Sequence, residues 1–156
     1  MKLNGAVVLK GKFIVRHFRN GKLLEEEEID NTVTNAGKAE VAGLINEVTS
    51  GGFKWLAVGS SSTAASASDT GLASEITANG LGRAAATCSR VTTTVTNDTA
   101  QLVHTWTATG TQTVQEAGIF DTSTANGGNM LARQTFSAKN MENNDTLELT
   151  YKVKVA

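Results

Sequence analysis

From Thr146 the chain alternates without a break: Leu147, Leu149, Tyr151, Val153 and Val155 fall on one side and Glu148, Thr150, Lys152 and Lys154 on the other. Successive side chains of a strand point to opposite faces, so this pattern predicts a strand with one face buried. Similar runs precede it. Leu3 to Leu9 is a short apolar strand candidate, and Arg83 to Thr96 leads through Asn97-Asp98 into Ala100 to Thr109, which sets Leu102, His104 and Trp106 on one face. Gln112 to Phe120 and Met130 to Ser137 read the same way, separated by the loop Asp121 to Asn129 and followed by a turn at Asn140 to Asp145. Gly118, inside a strand pattern, marks a bulge or a close approach.

One segment keeps a different period. Val41, Leu44, Ile45 and Val48 recur at i, i+3, i+4 and i+7, which places four apolar side chains on one stripe and predicts a short amphipathic helix at about 34–49. Thr34 or Asn35 can cap its start by accepting a backbone N–H, and Gly51 is free to take positive φ beyond its end. The helix leads into the apolar run Phe53 to Val58 and is expected to cover one face or one end of a sheet.

The N-terminal third contains Lys12 to Arg19, then Asn20-Gly21, then Lys22 to Ile29. Asn-Gly between strand-like runs predicts a two-residue hairpin turn, because both central residues need positive φ. In that register Arg19 faces Lys22 and Arg16 faces Glu25. Ile14, Arg16, Phe18, Leu23, Glu25, Glu27 and Ile29 then share one face, and Phe13, Val15, His17, Leu24, Glu26 and Glu28 the other. Each face mixes charge and bulk, which suits an edge or an arm reaching a neighbour better than the middle of a core. Residues 1–29 are therefore read as a strand and hairpin arm, with Phe13, Arg16, Phe18, Leu23 and Glu25 as candidate partner-contact residues, and 30–156 as a single β-rich domain. Removal of the first 28 residues is expected to leave a folded domain. Strands of this length, joined by hairpin-sized turns and accompanied by one helix, predict a mainly β fold: an antiparallel β-sandwich or a jelly-roll-like barrel.

Composition narrows the function more than the fold. A chain of 156 residues buries roughly 70% of its unfolded surface and needs no staple of metal or disulfide. Net charge is −1 with 19% charged residues, so no electrostatic footprint points to nucleic acid or an anionic membrane. No apolar run approaches the roughly 20 residues of a membrane-spanning helix, and Met1 to Gly5 lacks the apolar core of a signal peptide. Proline is absent, so turns fall to Gly, Asn, Asp and Ser. Between Trp55 and Gly110 charge is sparse and Thr, Ser and Ala dominate, consistent with the uncharged surface of packed strands.

Little in the chain announces chemistry. His17 and His104 are the only histidines, and neither has a Cys or carboxylate at zinc-ligand spacing. Cys88 has no flanking base and reads as a small buried side chain in a strand. The acidic run Glu25 to Glu28 sends adjacent carboxylates to opposite faces of a strand, so they do not converge as ligands. Gly59 and the Ser/Thr/Ala stretch after it lack the spacing of a phosphate-binding loop and read as a surface loop. Glu116 alone among the later carboxylates has a buried context, where it is expected to be hydrogen-bonded for structure. No catalytic, metal or cofactor-binding residue is assigned, and no enzyme activity is expected.

Several landmarks together resemble a known group. Asp30 to Gly37 followed by a short helix, Leu56-Ala57-Val58-Gly59, Ser68 to Glu75, Glu116 to Asp121 and Asp145 to Tyr151 are similar to segments of tailed-bacteriophage virion proteins, over residues 12 to 155. Members of that group are capsid decoration (cement) or tail structural proteins. The resemblance implies β-rich subunits that assemble on a particle, often as homotrimers, and broad uncharged surfaces that desolvate at low cost agree with it. The expectation is a decoration protein that binds and stabilises the assembled head. The alternative is a tail fibre or spike module that binds a host-surface receptor or glycan. Expected partners are further copies of the chain and the major capsid protein or other virion proteins, with no cofactor, small-molecule substrate, nucleic acid or membrane. The expected location is the virion, after synthesis in the bacterial host cytoplasm.

Overall fold

The computed structural model describes residues 3–156. Its elements are β1 (Leu9–Arg19), β2 (Lys22–Asp30), β3 (Thr32–Val33), α1 (Asn35–Ile45), β4 (Trp55–Gly59), β5 (Ala84–Ala85), β6 (Thr87–Val91), β7 (Thr99–Thr107), β8 (Gln112–Phe120), β9 (Met130–Met141) and β10 (Thr146–Val155). They form two antiparallel five-stranded sheets, ordered β2-β1-β10-β7-β6 and β3-β9-β8-β4-β5. The two sheets make a sandwich, as the alternating pattern predicts. The single run Arg83 to Thr96 supplies an edge strand to each sheet, crossing between them at Ala86.

The core is what the inward positions of both sheets bury. Phe13, Val15, Leu102, Trp106, Leu147, Leu149 and Tyr151 come from the first sheet, and Leu56, Val58, Val114, Ile119, Leu131 and Phe136 from the second. In β10 the alternation is realised side chain by side chain: Leu147, Leu149 and Tyr151 are fully buried, while Val155 at the open end is half-exposed. Tyr151 lies against Phe13 with ring centroids 5.1 Å apart, and its hydroxyl accepts a hydrogen bond from Asn31 Nδ2 (3.0 Å). Burial pushes its phenol well above the ordinary range.

The hairpin is present, with Asn20 and Gly21 both at positive φ (51° and 72°), but it is not a free arm. β1 pairs with β10 from Leu9 opposite Val155 to Phe18 opposite Thr146, so the hairpin is two strands of the first sheet. Its register also departs from the simple turn count. Phe18 faces Leu23 and His17 faces Glu25, which leaves Leu24 as an extra residue and sets Arg16 opposite Glu26 instead of Glu25. One extra residue exchanges the two faces of everything beyond it. Glu25, Glu27 and Ile29 therefore join the side of Phe13, Val15 and His17, and Glu26 and Glu28 turn outward, where Arg16 Nε (2.6 Å) and Lys12 pair with them.

The helix is shorter than the periodicity predicts and lies at the margin. Thr34 caps it, its hydroxyl accepting from Gly37 N (2.9 Å) and donating to Met130 O. Gly37 is buried because the helix backbone rests on β9: a Cβ there would lie 2.5 Å from Leu131 O. That close contact fixes the rotation of the helix. Val41 and Leu44 are half-covered, while Ile45 and Val48, expected to face the core, are 78% exposed. The helix ends at Ile45, and Glu47 takes the positive φ (60°), with Gly51 further along the loop. Cys88, expected to be buried, is exposed on β6, the outer strand of the first sheet.

Because the hairpin supplies Phe13, Val15 and His17 to the interior, the expectation that the domain folds without it is replaced by its opposite. Phe13→Ala is expected to cost about 3–5 kcal/mol in urea unfolding, Phe18→Ala on the outward face about 1 kcal/mol or less, and a chain beginning at Asn31 to show no cooperative melting by circular dichroism.

Candidate interaction surfaces

Three buried ionic clusters organise the loops on which the surfaces depend. In the first, Glu116 on β8 and Arg133 on β9 are both inaccessible to solvent. Arg133 Nε donates to Glu116 Oε2 (2.8 Å) and Nη2 lies 2.7 Å from the same oxygen. The other donors reach Thr63 O (2.8 Å), Ala64 O (3.3 Å) and Asp69 Oδ2 (2.9 Å). Glu116 accepts in turn from Ser74 N (2.7 Å) and Ala73 N (3.1 Å). The Ser/Thr/Ala stretch after Gly59 is therefore a strap tied across the second sheet, and Glu116 has the structural role its context suggests.

In the second cluster Arg83 makes a two-pronged pair with Glu75 (2.9 and 2.8 Å), donates to Thr122 O (3.0 Å) and Gly127 O (2.9 Å), and stacks 3.6 Å above the Phe120 ring. It thereby fixes the 121–129 loop. The third sits at the hairpin end. Asp145 accepts from Arg19 Nε (3.0 Å) and Nη2 (2.8 Å), Glu142 N (2.8 Å) and His17 Nε2–H (2.8 Å). The Arg19 hydrogen bonds foremost, against the opposing effect of burial, hold the Asp145 carboxyl well below the usual carboxylate range. Asp98 is held low in the same sense by backbone amides, accepting from Thr93 N, Thr94 N and Val95 N (2.8–2.9 Å) in the β6–β7 turn. His104 packs edge-on against Trp106 at 4.6 Å, and burial lowers its pKa.

The structure does not bring the five candidate contact residues to one surface. Phe13 is in the core, with no exposed area. Arg16 lies on the outward face between Glu26 and Glu148 (3.1 Å), and Phe18 follows it on that face near the turn. Leu23 is half-exposed at the turn. Glu25 points the other way, toward Lys139 (3.6 Å) on β9, which also holds Glu27 (2.8 Å). The acidic run is thus neutralised on both of its sides.

Two other surfaces stand out. One is the end of the sandwich where β1 begins and β10 finishes. Val7, Val8, Leu9, Val33, Val41 and Ile45 line a groove of about 620 Å³, and a second cleft of about 240 Å³, sharing Leu9 and Val41, opens between the sheets at Phe53, Leu131 and Val153. Val155, half-exposed, lines that cleft as well. The other is the outward face of the first sheet, where β1 and β10 set Lys10 opposite Lys154 and Lys12 opposite Lys152. The alternation of Lys152 and Lys154 is visible in the sequence, but their meeting with Lys10 and Lys12 depends on a pairing between strands at opposite ends of the chain.

These features define an antiparallel β-sandwich with one apolar end and a cluster of lysines on one outer face. The chain belongs to the family of the Podophage GP4 fiber I protein gp80, whose family model matches residues 57–153, more than half of the chain and the span from β4 into β10. It is a structural protein of the bacteriophage virion. No curated protein and no solved structure matches it.

Arg133→Met leaves Glu116 buried and unpaired and is expected to cost about 3–5 kcal/mol, with limited proteolysis cutting first between residues 60 and 74. For Asp145 the depressed folded pKa means its stabilising contribution is complete above the ordinary carboxylate value of about 3.9 and is lost as pH falls through the lower folded value. Melting temperature is therefore expected to drop below about pH 4, and Asp145→Asn to lower it at neutral pH while flattening that acid slope.

Proposed function

We propose that the chain is a tail-fibre subunit and that its apolar end is the contact through which it joins further copies, as a homotrimer. The family match favours a fibre over a decoration protein of the head. The observation that carries the assembly reading is the contiguous apolar end. Side chains of Val7, Val8, Ile45 and Val155 lie in water around a groove and a cleft that share walls. A patch of that kind marks an association surface. The helix supports the same reading: its cap and Gly37 hold it firmly to β9 while Ile45, its last residue, is turned outward.

Light scattering coupled to gel filtration is expected to give a trimer for the unaltered chain and a monomer for Ile45→Asp, with melting of the separated subunit little changed because that side chain does not enter the core. A monomeric unaltered chain would remove the assembly reading. Gold-labelled antibody against the chain is expected to decorate the tail of intact particles, and labelling confined to the head would restore the decoration protein.

A further inference from the structure

The outward face of the first sheet carries an arrangement that strand pairing alone disfavours. Lys10 and Lys154 are directly opposed across β1 and β10, and the next outward pair is Lys12 and Lys152. Like charges at directly opposed positions destabilise a sheet. Glu28 relieves Lys12 directly, by a hydrogen bond that raises the lysine's pKa, and Lys152 more weakly, by its charge alone. Lys154 Nζ donates to Thr94 Oγ1 (2.5 Å), and among the described residues neither Lys10, Lys152 nor Lys154 forms an ion pair. The four lysines, with Ile14, Glu28, Thr93 and Thr99, surround a shallow depression of about 320 Å³. Four ammonium groups and a single carboxylate therefore converge on one hollow in a chain whose net charge is −1.

The surroundings select the kind of anion. Toward β7 and β6 the lysines give way to uncharged groups able to donate and accept: Gln101 stands opposite Lys152, and Ser89 opposite Gln101. Thr93 and Thr94 form the adjoining wall. Toward β2 the outward positions are Asp30, Glu28 and Glu26, and Glu148 follows on β10. That acidic border confines a bound anion to the hollow and to the uncharged side toward β7. The hollow has no aromatic side chain and one partly buried aliphatic, Ile14, so it lacks the apolar anchors on which protein partners are usually held. An acidic sugar fits both halves: its carboxylate or phosphate meets the ammonium groups, and its ring hydroxyls meet the amide and hydroxyls beside them. Lysine suits this task as a mobile point charge that approaches an anion from several directions.

We propose that the Lys10, Lys152 and Lys154 hollow binds acidic sugars of a bacterial surface polysaccharide. The fibre reading supplies only the source of the ligand; the binding itself rests on the geometry of β1 and β10. Oligogalacturonate supplies the carboxylate form and phosphomannan the phosphate form, with neutral dextran of similar length, an oligoglutamate peptide and a single-stranded oligonucleotide for comparison. Calorimetry on the full chain is expected to show binding of at least one acidic saccharide, weakened by raising NaCl from 50 to 300 mM and reduced at least tenfold in Lys10→Gln/Lys152→Gln/Lys154→Gln. Lys22→Gln at the hairpin turn is expected to change nothing. The triple variant is expected to melt at or above the unaltered chain, because repulsion has been removed, and Lys152→Gln alone to show a partial loss. The inference is overturned if neither acidic saccharide binds, if dextran binds equally, if the triple variant binds unchanged, or if the peptide or oligonucleotide binds more tightly than both saccharides. Acidic-saccharide binding by a monomeric chain would leave this inference standing while the assembly reading fell.

Discussion

A guanidinium and a carboxylate with no access to water hold the second sheet and its long strap together. Charges taken out of water are tolerable only when nearly every donor and acceptor is used, and the Glu116–Arg133 pair meets that condition through the strap itself. Thr63 and Ala64 lend carbonyls and Ala73 and Ser74 lend amides, so the strap completes the solvation that the pair lost on burial. A segment of Ser, Thr and Ala has too little apolar area to anchor itself by burial. Its order comes instead from two ions on β8 and β9, and Leu72 and Ile76 are brought onto the core as a result. Arg83 and Glu75 repeat the device one loop further on.

The first sheet depends on register in the same way that the second depends on charge. A single additional residue at Leu24 decides which carboxylates of β2 face Lys139 on the opposite sheet and which face Arg16 and Lys12 outside. Without it the outward strip would gain Glu25 and Glu27, Glu26 would take the inward place of Glu27 beside Lys139, and Glu28 would replace Ile29 opposite Phe13, setting a carboxylate against the core. Along β1 the residues alternate between supporting the core and forming the basic face, so interior and exterior chemistry are set by one alignment with β10.

Much of this was legible from residue pattern. The alternation of β10, the Asn-Gly turn, the cap at Thr34 and the buried context of Glu116 each rest on interactions within a few residues, where periodicity and turn chemistry act directly. What was not legible depends on partners distant in sequence. The bulge at Leu24 leaves no local mark, Arg133 gives no hint that its partners include Thr63 and Ala64, and the pairing of Lys10 with Lys154 needs the two ends of the chain to meet. The helix misleads for a different reason. Its stripe of Val41, Leu44, Ile45 and Val48 has the period of a core-facing helix, but the backbone contact at Gly37 sets the rotation and leaves Ile45 outside, and the helix stops before Val48. Cys88 was misplaced because an outer strand and a covered one share the same small-residue composition.

The position of β10 has a kinetic side. It lies between β1 and β7, so the middle of the first sheet is the portion that leaves the ribosome after all of its neighbours. Until it docks, β1 and β7 each present an open hydrogen-bonding edge and an uncovered apolar face, the condition under which strands of separate molecules zip together. Nascent chains held near one another at high local concentration are thus exposed to mispairing during the interval before β10 arrives, and closure of the sheet requires contacts that span nearly the whole sequence, the topology of slow-folding proteins.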